Sequence, residues 1–254
     1  MCFIFYTFTA TAQNQVSDST VKKERERLSG YMISGGFGYT SLSPGASNSI
    51  NSSLQNNGFA PMTTDLISWN ITPINAMVRN VVFEVDIEGQ AQRNAVYNTS
   101  RTTTSGTGVR LEIGYVLLHN QHYVFYPEAG AHIGGMDVHS HQGTNPVLDV
   151  SATNTYTAFD FSFNLDRQSS IISKHDFCSS KTPFGKLFSG VVGLTVGYSL
   201  SPYNSYWNDN NIDIYTKTSN NVNFLTNVVG ENNAASMSMF YIKLRIGFGL
   251  CIKN

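Results

Sequence analysis

Residues Ser238–Leu250 read SMFYIKLRIGFGL, and their alternation decides the fold. Successive side chains of a strand point to opposite faces. Ser238, Phe240, Ile242, Leu244, Ile246, Phe248 and Leu250 therefore share one face, and Met239, Tyr241, Lys243, Arg245, Gly247 and Gly249 share the other. The first face is almost wholly apolar; the second combines two full charges with two glycines. A soluble sandwich would turn the apolar face into its core. Charges and glycines together fit an interior instead, and a strand that is apolar outside and polar inside is the pattern of a transmembrane β-barrel.

The same alternation recurs along the chain in seven further segments, each long enough to cross a bilayer when tilted. Gly30–Leu42 points Tyr31, Ile33, Phe37 and Tyr39 one way. Met62–Thr72 presents Ile67, Trp69 and Ile71. Asn80–Gln90 sets Val81, Phe83, Val85 and Ile87 against Glu84, Asp86 and Glu88. Thr107–His119 sets Val109, Leu111, Ile113 and Tyr115 against Arg110 and Glu112. His122–Gly134 sets Tyr123, Phe125, Ala129 and Ile133 against Tyr126, Glu128 and His132, with Pro127 interrupting its ladder. Tyr156–Asp166 sets three phenylalanines and Leu165 against Asp160, Ser162 and Asn164. Phe188–Leu200 sets Val192, Leu194, Val196 and Tyr198 against Gly193, Thr195, Gly197 and Ser199. The expected fold is all-β, an eight-stranded antiparallel up-and-down transmembrane barrel over residues 30–254.

Connection lengths provide an independent criterion, because such barrels alternate long external loops with short inner turns. Ser43–Pro61, Ala91–Gly106, Gly135–Thr155 and Ser201–Ala235 are long; Pro73–Arg79 and Asn120–Gln121 are short. Arg167–Leu187 breaks the alternation. Aromatics near strand ends (Tyr31, Tyr39, Tyr115, Tyr123 and Tyr198) suit interfacial girdles.

Composition points the same way. Of the 254 residues 13% are charged, against about 25% in typical soluble domains. No window approaches the ~18 apolar residues of a membrane helix. A net charge of −1 gives no electrostatic reason for a nucleic-acid partner. Residues 1–12 form an apolar run ending Ala10-Thr11-Ala12, the pattern of a signal peptide with its start truncated, and residues 13–29 form a charged periplasmic tail. Export would leave Cys178 and Cys251, both at the inner end, as a candidate disulfide or as two free thiols.

Over Gly30 to Asn254 the pattern resembles the small eight-stranded bacterial outer-membrane barrels, the outer membrane protein A transmembrane-domain and OmpX-like group, and particularly those of Bacteroidetes-type bacteria. Arg245, Gly247, Leu250 and Ile252 look like the C-terminal sorting motif of that group, although Lys253 and Asn254 follow where the family habitually ends on an aromatic residue. The resemblance implies a bacterial outer-membrane location, contact with outer-membrane lipid, and the barrel assembly machinery as a partner during biogenesis. It also implies a lumen plugged by paired charges.

The lumen set is Glu84, Asp86, Glu88, Arg110, Glu112, Glu128, His132, Asp160, Lys243 and Arg245. Eight strands enclose just enough space for side chains, so these charges must pair or be hydrated. Arg110 is expected to meet Glu88, and Lys243 and Arg245 to reach Glu84, Glu112 or Glu128. The expected role is structural, adhesive or small-channel, with no catalytic centre, cofactor or metal, and with no external ligand specified. His139 and His141 lack an evident third metal ligand. Asn-rich loops at Ser47–Gly58 and Tyr203–Asn233, with Phe59, Tyr203, Tyr206, Trp207, Tyr215 and Phe224 in or beside them, are candidate adhesion surfaces. Two alternatives are a soluble secreted lipocalin-like barrel for a lipophilic ligand, with the apolar faces inward, and a lipid A-modifying enzyme. The latter needs a nucleophile beside a base, and the nearest local pair, His132 and Glu128, is too far apart for direct contact.

Overall fold

The computed structural model describes residues 28–56, 58–92, 95–97, 99–119, 122–143, 147–170, 189–203, 205–215 and 234–253. The signal-peptide expectation, most of the tail, and Cys178 lie outside these residues. The elements are β1 (Leu28–Leu42), α1 (Pro44–Asn56), β2 (Asp65–Val78), β3 (Val81–Ala91), β4 (Ala95–Tyr97), β5 (Ser100–Tyr115), β6 (Leu118–His119), β7 (Tyr123–Gln142), β8 (Val147–Ser170), β9 (Ser189–Leu200), β10 (Ser205–Tyr215), β11 (Ala234–Ala235) and β12 (Met239–Lys253). Eight of them form the wall in the order β1-β2-β3-β5-β7-β8-β9-β12. All neighbours are antiparallel, and β12 closes back onto β1. Both described termini lie at one end, hereafter the near end.

The wall departs from the expected strand limits at places with identifiable causes. β2 does not stop at Thr72 but passes Pro73 and ends at Val78, because a bulge between Ile71 and Ile74 absorbs the proline. The bulge shifts the alternation by one residue, so that Asn75 turns inward. The turn itself is two residues, Arg79 and Asn80, both at positive φ (50° and 74°), the backbone of a tight type I′ hairpin. Pro127 is accommodated in β7 at the point where pairing with β5 ends, at Gly114–Glu128, and pairing with β6 takes over, at Leu118–Phe125. The barrel wall also begins at Leu28, two residues inside the expected tail.

Outside, the wall is apolar. Phe37, Ile67, Ile71, Leu111, Ile113, Phe159, Phe161, Phe163, Leu244, Ile246 and Phe248 are all exposed on its surface. Tyr31 and Tyr39, eight residues apart on β1 and both exposed, bracket about 26 Å of strand, which at the usual tilt is about 20 Å along the membrane normal and fits within the ~25 Å apolar band of membrane barrels. Trp69 lies over Gly89, where a Cβ would collide with its indole. The inward-apolar arrangement of a soluble lipocalin-like barrel is thereby overturned: the charged faces point in.

At the far end the wall continues beyond this band. Ala91–Gly106 and Gly135–Thr155, expected as loops, are largely strand: β5 and β7 pair from Ser100–Gln142 inward, and β7 and β8 from Gln142–Leu148 inward. Here the polarity inverts. Arg101, Asp137 and His139 are exposed, whereas Met136, Val138, Val150 and Ala152 are buried inside. Ser43–Pro61 is not a loop either. α1 starts at Pro44, a favoured first helical residue, and places Ala46, Ile50 and Leu54 on one buried stripe. It ends in a Schellman motif: Phe59 N–H donates to Leu54 C=O (2.9 Å) and Gly58 N–H to Gln55 C=O (3.0 Å), with Gly58 at φ 79°. α1, Phe59, Met62, Trp207, Met237 and Met239 join the inner faces of β7 and β8 in one apolar cluster across the far mouth. A smaller cluster of Val82, Val116, Val124 and Tyr126 closes toward the near end.

Candidate functional site

Between these two apolar layers lies the charged lumen. Glu84, Asp86 and Glu88 alternate on β3, Arg110 and Glu112 on β5, Glu128 and His132 on β7, and Lys243 and Arg245 on β12; all are buried. β8 contributes Asp160 and, at the next inward positions, Ser162, Asn164 and Asp166.

Glu88 is one hub. Its carboxylate accepts from Arg110 Nη2 at 3.2 Å and Lys243 Nζ at 3.0 Å, lies 2.8 Å from His132 Nε2, and accepts from Gln90 Nε2 at 3.0 Å. Arg110 also approaches Asp160, Nε to Oδ1 3.3 Å. The Tyr241 ring packs between the two cations, 3.9 Å from the Arg110 guanidinium carbon and 4.9 Å from Lys243 Nζ, a cation–π arrangement. The Tyr241 hydroxyl and the Ser199 hydroxyl both donate to Asp160.

Arg245 is the second hub. Nη1 donates to both Glu84 oxygens (3.0 and 2.8 Å), and Nη2 to Asp166 (2.9 and 3.1 Å) and to the Tyr126 hydroxyl (2.6 Å). Gly193 permits this junction, since a Cβ there would overlap the Asp166 carboxylate. Asn75 donates to Glu84, and Asn70 and Thr72 donate to Asp86. These short polar side chains complete the shells of the acids.

The structure thus places Arg110 on Glu88 and Arg245 on Glu84. Lys243 goes to Glu88 and, at 3.7 Å, to Asp86, not to Glu112 or Glu128. Asp166 was not among the expected lumen residues, although it continues the Asp160, Ser162, Asn164 parity. Asn75 had no signal in simple alternation because the Pro73 bulge shifts its face. Of the four residues expected to form a sorting motif, Arg245 is committed to the lumen and Gly247 packs against β1 at Ser34. Leu250 and Ile252 pair with Tyr31 and Ser29, and the Cys251 backbone with Gly30; the side chains of Leu250, Cys251 and Ile252 lie outside the described set.

One arrangement has the connectivity of a hydrolytic triad: Ser199 Oγ is 3.4 Å from His132 Nδ1, and His132 Nε2 is 2.8 Å from Glu88. It is not poised for nucleophilic attack. The Ser199 hydroxyl donates to Asp160 rather than to the imidazole, and all three residues are fully enclosed, whereas covalent catalysis needs a base that takes the nucleophile's proton beside an open substrate position. His139 and His141 are exposed on the outer face of β7; among the described residues the three-ligand acidic or metal-type cluster is Glu84, Asp86 and Glu112. Of the loop aromatics, Phe59 and Trp207 are core residues of the far-end plug, and Tyr203 is exposed.

A closed antiparallel meander of eight strands, apolar outside and ion-paired inside, is a transmembrane β-barrel. No protein-family model matches the chain, and no curated protein matches it. Among solved structures it is similar to Ail, the attachment invasion locus protein of Yersinia pestis, with 10% sequence identity, a TM-score of 0.42, and coverage of 88% of this chain and 99% of that one.

Proposed function

We propose that the protein is an integral barrel of a bacterial outer membrane, serving as a sealed scaffold of structural or adhesive type rather than as an open pore or an enzyme. The observation that carries this reading is the stacking along the lumen: apolar plug, ion-paired middle, apolar layer, all inside a wall whose exterior is apolar. Salt-bridged side chains that fill an eight-stranded lumen leave no room for conduction. What remains available to partners is the far end, where β5, β7 and β8 project past the band. Outer-membrane lipid contacts the band, and the barrel assembly machinery meets the C-terminal strand during insertion.

The test combines two measurements on the same preparation. A urea-washed outer-membrane fraction retaining the protein, with gel mobility that changes on boiling, is the expected result, together with no steady conductance in planar bilayers. Release by urea without a mobility shift would reject the membrane assignment. Stable open-channel currents would instead reject the sealed lumen.

A further inference from the structure

The outer wall is uneven at one place, beside Pro127. A proline has no N–H to offer a ladder, and the pairing of β7 with β5 ends next to it, at Gly114–Glu128. β5 then leaves β7 as a regular partner: Val116 N–H donates to Asn80 C=O (2.8 Å) and Leu117 N–H to Phe125 C=O (3.1 Å). On the outer face of this break the side chains of β7 are short. Pro127 and Ala129 are half-buried, whereas Ile113 and Tyr115 on β5 and Phe161 and Phe163 on β8 stand exposed on either side. Register sets Ala129 between Ile113 and Phe161, and Pro127 opposite Phe163. Phe125 stacks on Phe163, ring centroids 6.3 Å apart and planes 3° apart, which fixes that side. The result is an apolar furrow of about 460 Å³, inside the ~300–1,000 Å³ range of small-ligand sites.

A second observation concerns charge. Arg167 is the outward residue of β8 four positions beyond Phe163, directly opposite Tyr123 on β7. It is exposed, and it forms no ion pair among the described residues. The usual rise places it about 13 Å along the strand from Phe163. Tyr115 and Tyr123 lie at that near end, where aromatics mark a membrane interface. The furrow therefore runs inside the apolar band, from the interfacial tyrosines toward the midplane, with an unpaired guanidinium at the level of the headgroups.

We propose that the furrow holds one acyl chain of an anionic glycerophospholipid of the near-end leaflet, whose phosphate pairs with Arg167. The position within the band makes hydrocarbon the natural filling. A single flexible chain fits between two ridges, whereas the broad convex wall of a second barrel would ride over them. Arg167 supplies the preference for negative charge, since a guanidinium matches phosphate geometry with two parallel hydrogen bonds. Its long apolar stem lies along the wall while its head stays at the interface. The proposal rests on the membrane reading of the wall and adds to it one defined lipid site.

The experiment uses the full chain refolded into detergent, washed free of lipid and offered dioleoyl phosphatidylglycerol or dioleoyl phosphatidylcholine. Retained lipid is counted by native mass spectrometry, and heat-dependent gel mobility checks the barrel in every sample. Expected are one retained lipid per chain and a preference for phosphatidylglycerol of about fivefold, the effect of one arginine at an anionic surface. Ala129→Phe fills the furrow and should retain neither lipid. Leu244→Phe, which adds a ring at an exposed wall position on β12, should behave as the wild type. Arg167→Gln should retain both lipids equally, and Arg167→Lys should keep the preference. If Ala129→Phe does not fold, Arg167→Gln at its exposed position decides. A wild-type chain that retains no lipid, equal retention by Ala129→Phe, or an unchanged preference in Arg167→Gln would overturn the proposal. A wild-type dimer that Ala129→Phe abolishes would also overturn it and give the furrow to a second copy. Loss of the mobility shift in the wild type itself would instead reject the membrane reading, and the lipid site with it.

Discussion

Replacing Arg245 by Met keeps most of the side-chain stem and deletes the guanidinium, the group on which the near half of the lumen is organised. The loss can be sized from its contacts. One group donates to both oxygens of Glu84, both oxygens of Asp166 and the Tyr126 hydroxyl, all at 2.6–3.1 Å and at 2% exposure. Removing one partner of a buried ion pair costs about 3–5 kcal/mol, because the other charge is left uncompensated. Two carboxylates are stranded here, so the expected loss is at the upper end, about 5 kcal/mol. That is a large share of a total stability of about 5–15 kcal/mol. Equilibrium urea unfolding of the detergent-refolded barrel, followed by heat-dependent gel mobility, measures it. Neutralising the stranded acids as well, in Glu84→Gln/Asp166→Asn/Arg245→Met, should recover most of the loss, since a buried network replaced as a unit is often nearly neutral. A loss below about 1 kcal/mol for Arg245→Met alone would refute the reasoning, for it would mean that water solvates the acids and that the lumen is wet.

Three further outcomes follow from the same geometry. Ile246→Arg puts a charge on a wall position that is 62% exposed and should cost about 2–4 kcal/mol in urea unfolding from lipid vesicles, while Tyr203→Arg at the far end should stay within about 0.5 kcal/mol. Leu54→Asp places a carboxylate in the α1 plug, where Leu54 is buried; it should expose α1 to limited proteolysis, while the barrel keeps its heat-dependent mobility and stays non-conducting in planar bilayers because the ion-paired middle still fills the lumen. Gly197→Val should cost about 1–3 kcal/mol, because its Cβ would overlap the Tyr241 ring, and tyrosine fluorescence should report the displaced ring.

How much of this was legible in sequence depends on which physical signal each feature uses. Face assignment is a parity statement, and parity placed Glu84, Asp86, Glu88, Arg110, Glu112, Lys243 and Arg245 inside together. Pairing across the lumen is not a parity statement. Arg110 finds Glu88 because β3 and β5 are neighbours, whereas Lys243 reaches Glu88 across the lumen, 155 residues away, which no local pattern encodes. Asn75 was hidden by a bulge that one proline permits. α1 was hidden by composition: Ser47, Asn48, Asn51 and Ser52 are weak helix formers, and only the burial of Ala46, Ile50 and Leu54 against the barrel mouth outweighs them. The Pro44 start and the Gly58 stop were present in the sequence, but three apolar residues at a spacing of four are easily lost among serines and asparagines.

The far-end limits of β5, β7 and β8 lie beyond the predicted ones for one shared cause, which also fixes where the membrane ends. Alternation of apolar-out and polar-in along β5, β7 and β8 fails at Thr107, Gly134 and Tyr156, and the sequence pattern therefore predicts strand ends there. The hydrogen-bonded ladder does not stop there; the surroundings change. On β7 the outward series runs through Ile133, which is exposed and apolar, and then through Asp137 and His139, exposed and polar, while the inward series passes from Glu128 and His132 to Met136 and Val138. On β5 Val109 is the last apolar outward residue before Thr107 and Ser105, and on β8 Phe159 is the last before Thr157 and Thr155. Below that level an outward side chain meets lipid and an inward one meets charge. Above it, an outward side chain meets water and the inner face becomes an ordinary hydrophobic core. A barrel strand that leaves the bilayer without ending must reverse its pattern, so the reversal at Ile133–Met136 marks the far membrane boundary. It also explains why the apolar plug begins at that level: the same crossing that solvates the outside of the wall makes burial of apolar side chains inside it favourable.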